Sequence, residues 1–302
     1  MKTLVIGTGF IGSALTAALR DAGREVTQSS RSQGRADATI SHGAALDRHL
    51  HDHHYDQVVV VGQLTRPDID WVIERIDGPK WVVLSSQQVT SAVASPGRDV
   101  ALAREDVALG RGACVLRPTM VFGNGRDLNI SRLIRFMSRW HVAIMPGSGD
   151  QLVQPIHVDD LTDLLAHHGC SPTGGLFPAG GPEALPLREL TWTLCAVLGV
   201  RTKPHGVSSR QLSLFQRIAP LLGVRQDQWQ RLTEAKTADN ASTMVAFQWR
   251  PQPLGTRLEQ AVLEVTQHTI CSSAPAYGEM TLPAPGTHDS LRHDAPPGTV
   301  HP

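Results

Sequence analysis

The chain opens on Thr3-Leu4-Val5-Ile6, a short apolar strand signal, and runs directly into Gly7-Thr8-Gly9-Phe10-Ile11-Gly12. From Ile11 to Ala22 the apolar residues recur at helical spacing until Gly23 stops them. No other segment constrains the fold as tightly. The first glycine allows a sharp turn out of the strand, the second lets backbone approach a diphosphate, and the third lets helix pack on strand. The helix then turns its free N–H groups and the positive end of its dipole toward the anion. Gly7, Gly9 and Gly12, with Phe10 and Ile11 between them, are therefore expected to hold a dinucleotide.

The rest of the first half agrees with that start. Glu25–Gln28, Gln57–Val61, Trp81–Leu84 and Ala113–Leu116 read as strands, and the β-branched run at 57–61 suits a strand buried on both faces. Residues 68–76 read as a helix. Strands alternating with helices define an α/β fold, here a Rossmann doubly wound parallel sheet. From about Pro118 helical spacing dominates, at Ile130–Trp140, Val158–His167, Leu187–Leu198, Ser209–Leu222 and Leu254–Thr266. Residues 1–123 are thus expected to form the dinucleotide domain, with later segments returning to it. Residues 124–268 would form a smaller, mostly helical substrate-binding lobe. Residues 269–302, rich in Pro, Ser, Gly and Ala without periodicity, are expected to be a disordered tail.

Charge and composition exclude several classes. With 28 basic and 28 acidic residues the net charge is zero, so the electrostatic footprint of a nucleic-acid or anionic-membrane binder is missing. No apolar run reaches the roughly 18 residues of a membrane span, and no signal peptide is evident, so the expected compartment is the cytoplasm. Cys114, Cys170, Cys195 and Cys271 are too scattered for a disulfide framework. The expected partner is a small-molecule substrate, with a homodimer left open.

The second strand points to the cofactor. A ribose with a free 2′-hydroxyl calls for Asp or Glu at its end. Here it ends Ser29-Ser30-Arg31-Ser32, with Arg35 nearby, and a guanidinium with hydroxyls suits a 2′-phosphate. NADP(H) is expected over NAD(H), with Ser30 and Arg31 as the contacts.

Three further segments carry a family resemblance. Val82-Val83-Leu84-Ser85-Ser86-Gln87-Gln88-Val89, Leu116-Arg117-Pro118-Thr119-Met120-Val121-Phe122-Gly123 and Gln154-Pro155-Ile156-His157-Val158-Asp159-Asp160-Leu161 follow the glycine loop in order. Together the four resemble the short-chain dehydrogenase/reductase superfamily, in its extended NAD-dependent epimerase/dehydratase branch. The resemblance implies Ser86 as the serine that hydrogen-bonds the substrate's reacting oxygen; Ser86 or Thr90 would position the substrate. It implies Gly62, Ser85, Arg117 and Pro118 on the cofactor side, the last two beneath the nicotinamide. Gln87, Met120, Asn124 and Asn129, with Gly125 and Arg126, would line the substrate cleft. His157, Asp159 and Asp160 would organise the lobe, either aspartate serving as a helix cap.

One departure is large. The family's general acid is a tyrosine four residues before a lysine. Counting back from Glu105, which matches the family's acidic residue, the lysine position is Ala101 and the tyrosine position Gly97. The only tyrosines are Tyr55 and Tyr277, and the only lysines are Lys2, Lys80, Lys203 and Lys236. Asp99, Arg104 and His42 are the candidate replacement acids. The expected activity is an atypical NADP(H)-dependent reductase of a small, fairly apolar metabolite. Delivery to an iminium or another activated carbon forms no alkoxide and so needs no strong acid. A redox-neutral isomerase, epimerase or cyclase and a non-catalytic dinucleotide sensor are the alternatives. The His49/His53 pair has i, i+4 spacing, but a solvated helix fits it better than a metal site, and no metal is expected. Trp140, Trp192, Trp229 and Trp249 are expected in the lobe's core, or around an apolar pocket.

Overall fold

The computed structural model describes residues 1–30, 40–41, 44–91, 96–167, 174–208, 211 and 235–273. Its centre is a seven-stranded sheet in which every neighbouring pair is parallel. In chain order the strands are β1 (Lys2–Ile6), β2 (Glu25–Ser30), β3 (Ile40–Ser41), β4 (Gln57–Val60), β5 (Trp81–Leu84), β6 (Cys114–Pro118) and β11 (Gly175–Ala179). Their spatial order is β11-β6-β5-β4-β1-β2-β3. The strand order reverses beside β1, the place where such sheets open a crevice at the strands' carboxyl ends. The fold is the expected Rossmann-type α/β sheet.

Alternation along the strands explains their unbroken apolar sequence. Leu4, Ile6, Val58, Val60, Val83 and Val115 face one core with Leu46, Ile73, Ala101 and Ala108. These last residues come from helices α2 (Ala44–Asp52), α3 (Asp70–Ile73) and α4 (Pro96–Gly110). Val5, Val59, Val82 and Leu116 face a second core with Leu15 and Leu19 of α1 (Phe10–Asp21), and Leu161 and Leu164 of α6 (Val158–His167). A strand sandwiched this way has no solvent face on which to place polar residues.

A third core belongs to the lobe. It joins Ile130, Ile134 and Met137 of α5 (Ile130–Trp140) to Leu190 and Leu194 of α7 (Leu187–Leu198) and Leu258 and Ala261 of α9 (Leu254–Ser273). Short strand pairs stitch this region: β7 (Val121–Phe122) with β10 (Ile156–His157), β8 (Ile144–Pro146) with β13 (His205–Val207), and β9 (Leu152–Val153) with β12 (Leu185–Pro186).

Several details differ from the expectation. The helix read at 68–76 is a 3₁₀ turn at Pro67–Ile69 followed by a single α turn, α3. Gly175-Leu176-Phe177-Pro178-Ala179 carries no strand signal, yet it forms the sheet edge beside β6. An edge position tolerates Pro178, whose missing N–H would break an interior ladder. Helix α8 (Ala241–Phe247) also escaped the periodicity, and it packs against β11, with Phe177 and Phe247 edge to face. Helix α9 continues to Ser273, past the expected start of the tail; residues 274–302 and, apart from Gln211, the expected helix at 209–222 lie outside the described residues. Trp249 is buried as expected, but Trp140 and Trp192 are 61% and 48% exposed, which removes them from the core. Trp229 lies outside the described residues. No helix among the described residues is long and apolar enough to cross a membrane.

Candidate functional site

The glycine loop lies at the carboxyl end of β1. Gly7 has φ +128°, and its N–H donates to the Ser29 carbonyl at 3.0 Å. A Cβ on Gly12 would lie 2.2 Å from the Gly7 carbonyl oxygen, so only glycine closes this turn onto α1. A Cβ on Gly9 would meet nothing within 4 Å among the described residues, where Gly9 faces open space at the helix start. No side chain caps that start and its first turn holds no acid, which leaves the early N–H groups for an anion.

Gln28, on β2, was not singled out from sequence. Its side chain is buried, and its amide donates to the carbonyls of Gly7 (3.2 Å) and Gly12 (3.3 Å), stapling the two ends of the loop. A buried polar residue in an otherwise apolar strand was the available signal. Beside it, Thr8 Oγ1 donates to Ser30 Oγ at 3.1 Å. Arg31, Arg35 and His42 lie outside the described residues.

Gly62 follows β4 and abuts the loop, with its N atom 3.5 Å from where a Gly7 Cβ would point. Ser85 and Ser86 follow β5, one strand further along the same edge. Ser86 Oγ accepts from the Gln88 N–H at 3.2 Å, which leaves its own hydrogen free to donate. Thr90 Oγ1 donates to the Gln87 carbonyl at 2.8 Å, so it can accept from a ligand but has no proton to spare. The Gln87 Oε1 atom is buried without a partner among the described residues.

The two missing-dyad positions lie on α4. Ala101 is packed in the core, and Gly97 faces Thr65, whose Cγ2 is 3.4 Å from a Cβ built there. Tyr55 is no substitute. It lies just before β4, at the amino ends of the strands, where Lys2 sits over its ring and His49 bonds its hydroxyl. Burial pushes its phenol pKa up. Tyr277 lies outside the described residues. Among the replacement acids, Arg104 is fully engaged by Asp70, at 2.5 and 2.6 Å, and by the Leu64 and Arg66 carbonyls, so it does not face the site. Asp99 is ion-paired with Arg98 on the surface at 3.1 Å.

Arg117 is held from the helix side. Its guanidinium is bound to the fully buried Glu105 carboxylate, with Nε 3.0 Å from Oε2, so the side chain braces β6 against α4. Pro118 ends β6, and its register partner is Ala179 at the sheet edge. Met120 packs against the lobe core.

After β7 the chain makes a tight loop. Asn124 has φ +44°; its N–H donates to Glu264 and its Oδ1 accepts from the Arg126 N–H at 3.3 Å. Asn129 is exposed at the start of α5 and makes no side-chain cap there. The capping falls to Asp127, another residue not singled out from sequence. Its buried carboxylate accepts from the N–H groups of Gly123, Asn129 and Ser131 and from the Ser131 hydroxyl. Asp just ahead of an apolar helical run was its signal. Arg126 extends from the loop to α1, where Nη1 donates to Ser13 Oγ at 2.9 Å.

His157 lies beneath this loop, buried, its ring edge-on to Phe122 and against Gly123. Burial lowers its pKa to about 4, and its Nδ1 accepts from the Asp159 N–H at 3.2 Å. Donor atoms of His157, Asp159 and Glu264 lie within 4.8 Å of one another, a spacing that could hold a cation. The carboxylates are already occupied: Gln260 bridges Asp159 (2.7 Å) and Glu264 (2.9 Å), and Arg257 binds Asp159 and Asp160. Asp160 therefore serves as an anchor for α9 and Arg257, not as a helix cap. In the other histidine cluster, His49 and His53 are stacked at 4.0 Å, with His49 Nε2 bonded to Tyr55.

Comparison with known proteins agrees with this architecture. Residues 3–74 match the family model of ketopantoate reductase PanE/ApbA. No curated protein matches the chain. Among solved structures, MoeE5 in complex with UDP-glucuronic acid and NAD is 21% identical with a TM-score of 0.66, covering 89% of this chain and 100% of its own. UDP-glucuronic acid 4-epimerase from Bacillus cereus, also with UDP-glucuronic acid and NAD, is 19% identical at TM-score 0.67 over the same shares. dTDP-glucose 4,6-dehydratase from Bacillus anthracis str. Ames, with NAD, is 14% identical at TM-score 0.68, covering 89% and 98%. At these identities the likeness is one of fold.

Proposed function

We propose that this chain is a nicotinamide-dinucleotide-dependent enzyme of the short-chain dehydrogenase/reductase type that works without the tyrosine–lysine pair. The observation that carries the reading is the shared edge of the sheet. The Gly7–Gly12 turn, Gly62 and the free Ser86 hydroxyl follow the adjacent strands β1, β4 and β5, while α4 offers Gly97 and Ala101 in place of an acid. The open face of Gly9 fits a dinucleotide, since backbone can approach the diphosphate with no Cβ between. The bound NAD of the similar folds supports the same use of this loop.

A nicotinamide supplies or takes up a hydride when bound. The chain's own residues orient the partners: Ser86 donates to a substrate oxygen or other acceptor. No described residue at this edge can deliver a full proton as a tyrosine phenol would. A substrate whose carbon is already electrophilic, such as an iminium, suits such a site; a neutral ketone does not. Net reduction is therefore favoured over sugar epimerisation. Transfer of deuterium from labelled NADPH into product, against none into a sugar nucleotide, tests this.

We assign NADP(H) as the preferred cofactor from the sequence Ser29-Ser30-Arg31-Ser32, which puts arginine where a 2′-hydroxyl would need an acid. Arg31→Ala should cost about 1.5–3 kcal/mol of NADP(H) binding, the scale of a hydrogen bond to a charged group. Equal calorimetric affinity of the unmutated protein for NAD(H) and NADP(H) would rule the preference out.

A further inference from the structure

Resting on the reading of the glycine loop as a dinucleotide site, we infer that Arg126, on the lobe side of the cleft, is a second, side-chain clamp on the cofactor's diphosphate. The family resemblance assigns this residue to the substrate; its contacts point across the cleft instead.

Arg126 Nη1 donates to Ser13 Oγ at 2.9 Å, and that same hydroxyl donates to the Gly9 carbonyl at 2.9 Å. A three-member chain thus links the guanidinium to the second glycine of the loop, the one that faces open space. Ser13 is in the first turn of α1, so the cation rests at the end of the helix that is already positive. No acidic residue occupies that first turn, and among the described residues no carboxylate pairs with Arg126. An anion bound at that helix end would meet the guanidinium and the positive end of the dipole together. A guanidinium has five N–H donors, and the bond to Ser13 engages one. The remaining fork matches the oxygens of a diphosphate.

The loop is built to hold the arginine there. Asn124 N–H is bound to Glu264 of α9, the Gly125 carbonyl accepts from Arg135 of α5, and Asp127 fixes Gly123 and the start of α5. The His157–Glu264 cluster beneath the loop thus serves as its footing. Backbone amides of the Rossmann half and a guanidinium of the lobe would then grip the diphosphate from two sides. Cofactor binding would also fasten the lobe to the sheet.

Calorimetric titration of the full chain with NADPH and with ADP-ribose, which keeps the diphosphate but lacks the nicotinamide, tests the assignment. Arg126→Gln should weaken both ligands by roughly ten- to a hundred-fold, the scale of a charged hydrogen bond. Arg126→Lys should recover part of the loss, and the melting point without ligand should not move, because the side chain is exposed. If the unmutated protein binds ADP-ribose and Arg126→Gln binds it equally well, the clamp is overturned while the cofactor reading stands. The residue then acts on a phosphate of the substrate or only ties the lobe to α1. If the unmutated protein binds neither ligand, the cofactor reading falls and the clamp with it.

Discussion

Arg117 and Glu105 form an ion pair in which the carboxylate is fully buried and the guanidinium nearly so, tying β6 to α4 directly behind the serine edge. The pair fills the space between strand and helix, so its members are structural partners of the site. Neutralising one member leaves the other charged and buried without compensation, which is the costly event in such pairs. Glu105→Gln should therefore destabilise the fold by about 3–5 kcal/mol in chemical denaturation. The double change Glu105→Leu with Arg117→Met should cost clearly less. A double variant as unstable as the single one would show that the pair contributes attraction beyond mutual compensation.

The glycine loop separates folding from binding at two neighbouring positions. Gly12→Ala forces a Cβ to 2.2 Å from the Gly7 carbonyl, and backbone must shift to admit it. We expect a stability loss of at least about 1–3 kcal/mol, with dinucleotide binding lost as well. Gly9→Ala meets nothing within 4 Å among the described residues, and Gly9 has an ordinary φ of −73°, so the melting point should hold. Its methyl would occupy the diphosphate's approach, so calorimetry should show binding abolished. Normal binding by Gly9→Ala would contradict the placement of the cofactor.

Ser86 accepts from the Gln88 N–H and has a hydrogen to give away. Ser86→Ala should lower turnover by about a hundred-fold, the scale of a misplaced substrate. Cofactor affinity should change little. Tyr55→Phe should leave turnover unchanged apart from any stability effect, because Tyr55 is at the far edge of the sheet. Steady-state kinetics of the two variants side by side would separate an active serine from a turn-forming one.

His157 makes the protein's stability sensitive to acid. Burial holds its folded pKa near 4, against an ordinary value of 6.5, so the unfolded chain takes up the proton first. The stability lent by the neutral ring is complete above about pH 6.5 and is lost as pH falls toward 4, up to about 3 kcal/mol. Glu264 works in the opposite sense: burial raises its pKa, so its contribution is present at low pH and lost as pH rises through the folded value. Comparing His157→Gln with the unmutated protein isolates the histidine. The unmutated protein should lose more stability between pH 6.5 and 4.5 than the variant, and its His157 ring resonance should not titrate in that range. Equal losses would show that His157 is protonated in the folded state.

By itself the sequence determined whatever depends on neighbours along the chain. The strand–GTGFIG–helix unit at residues 1–22, the unbroken apolar strands, and helices α5, α6 and α7 were legible because local periodicity and turn chemistry carry them. The lack of a Tyr-x-x-x-Lys pair was equally plain. What only the tertiary structure decided was which long-range partner each polar group takes. Gln28 staples the glycine loop from another strand, Arg117 pairs with Glu105, and Arg104 is consumed by Asp70. Gly175–Ala179 becomes a strand because β6 offers an edge, although its own residues have weak β-propensity. A buried charge or amide must find a partner somewhere, and nothing local in the sequence names it. Chain topology makes that choice, and here it brings Arg126 of the lobe to Ser13 of the first helix, 113 positions away.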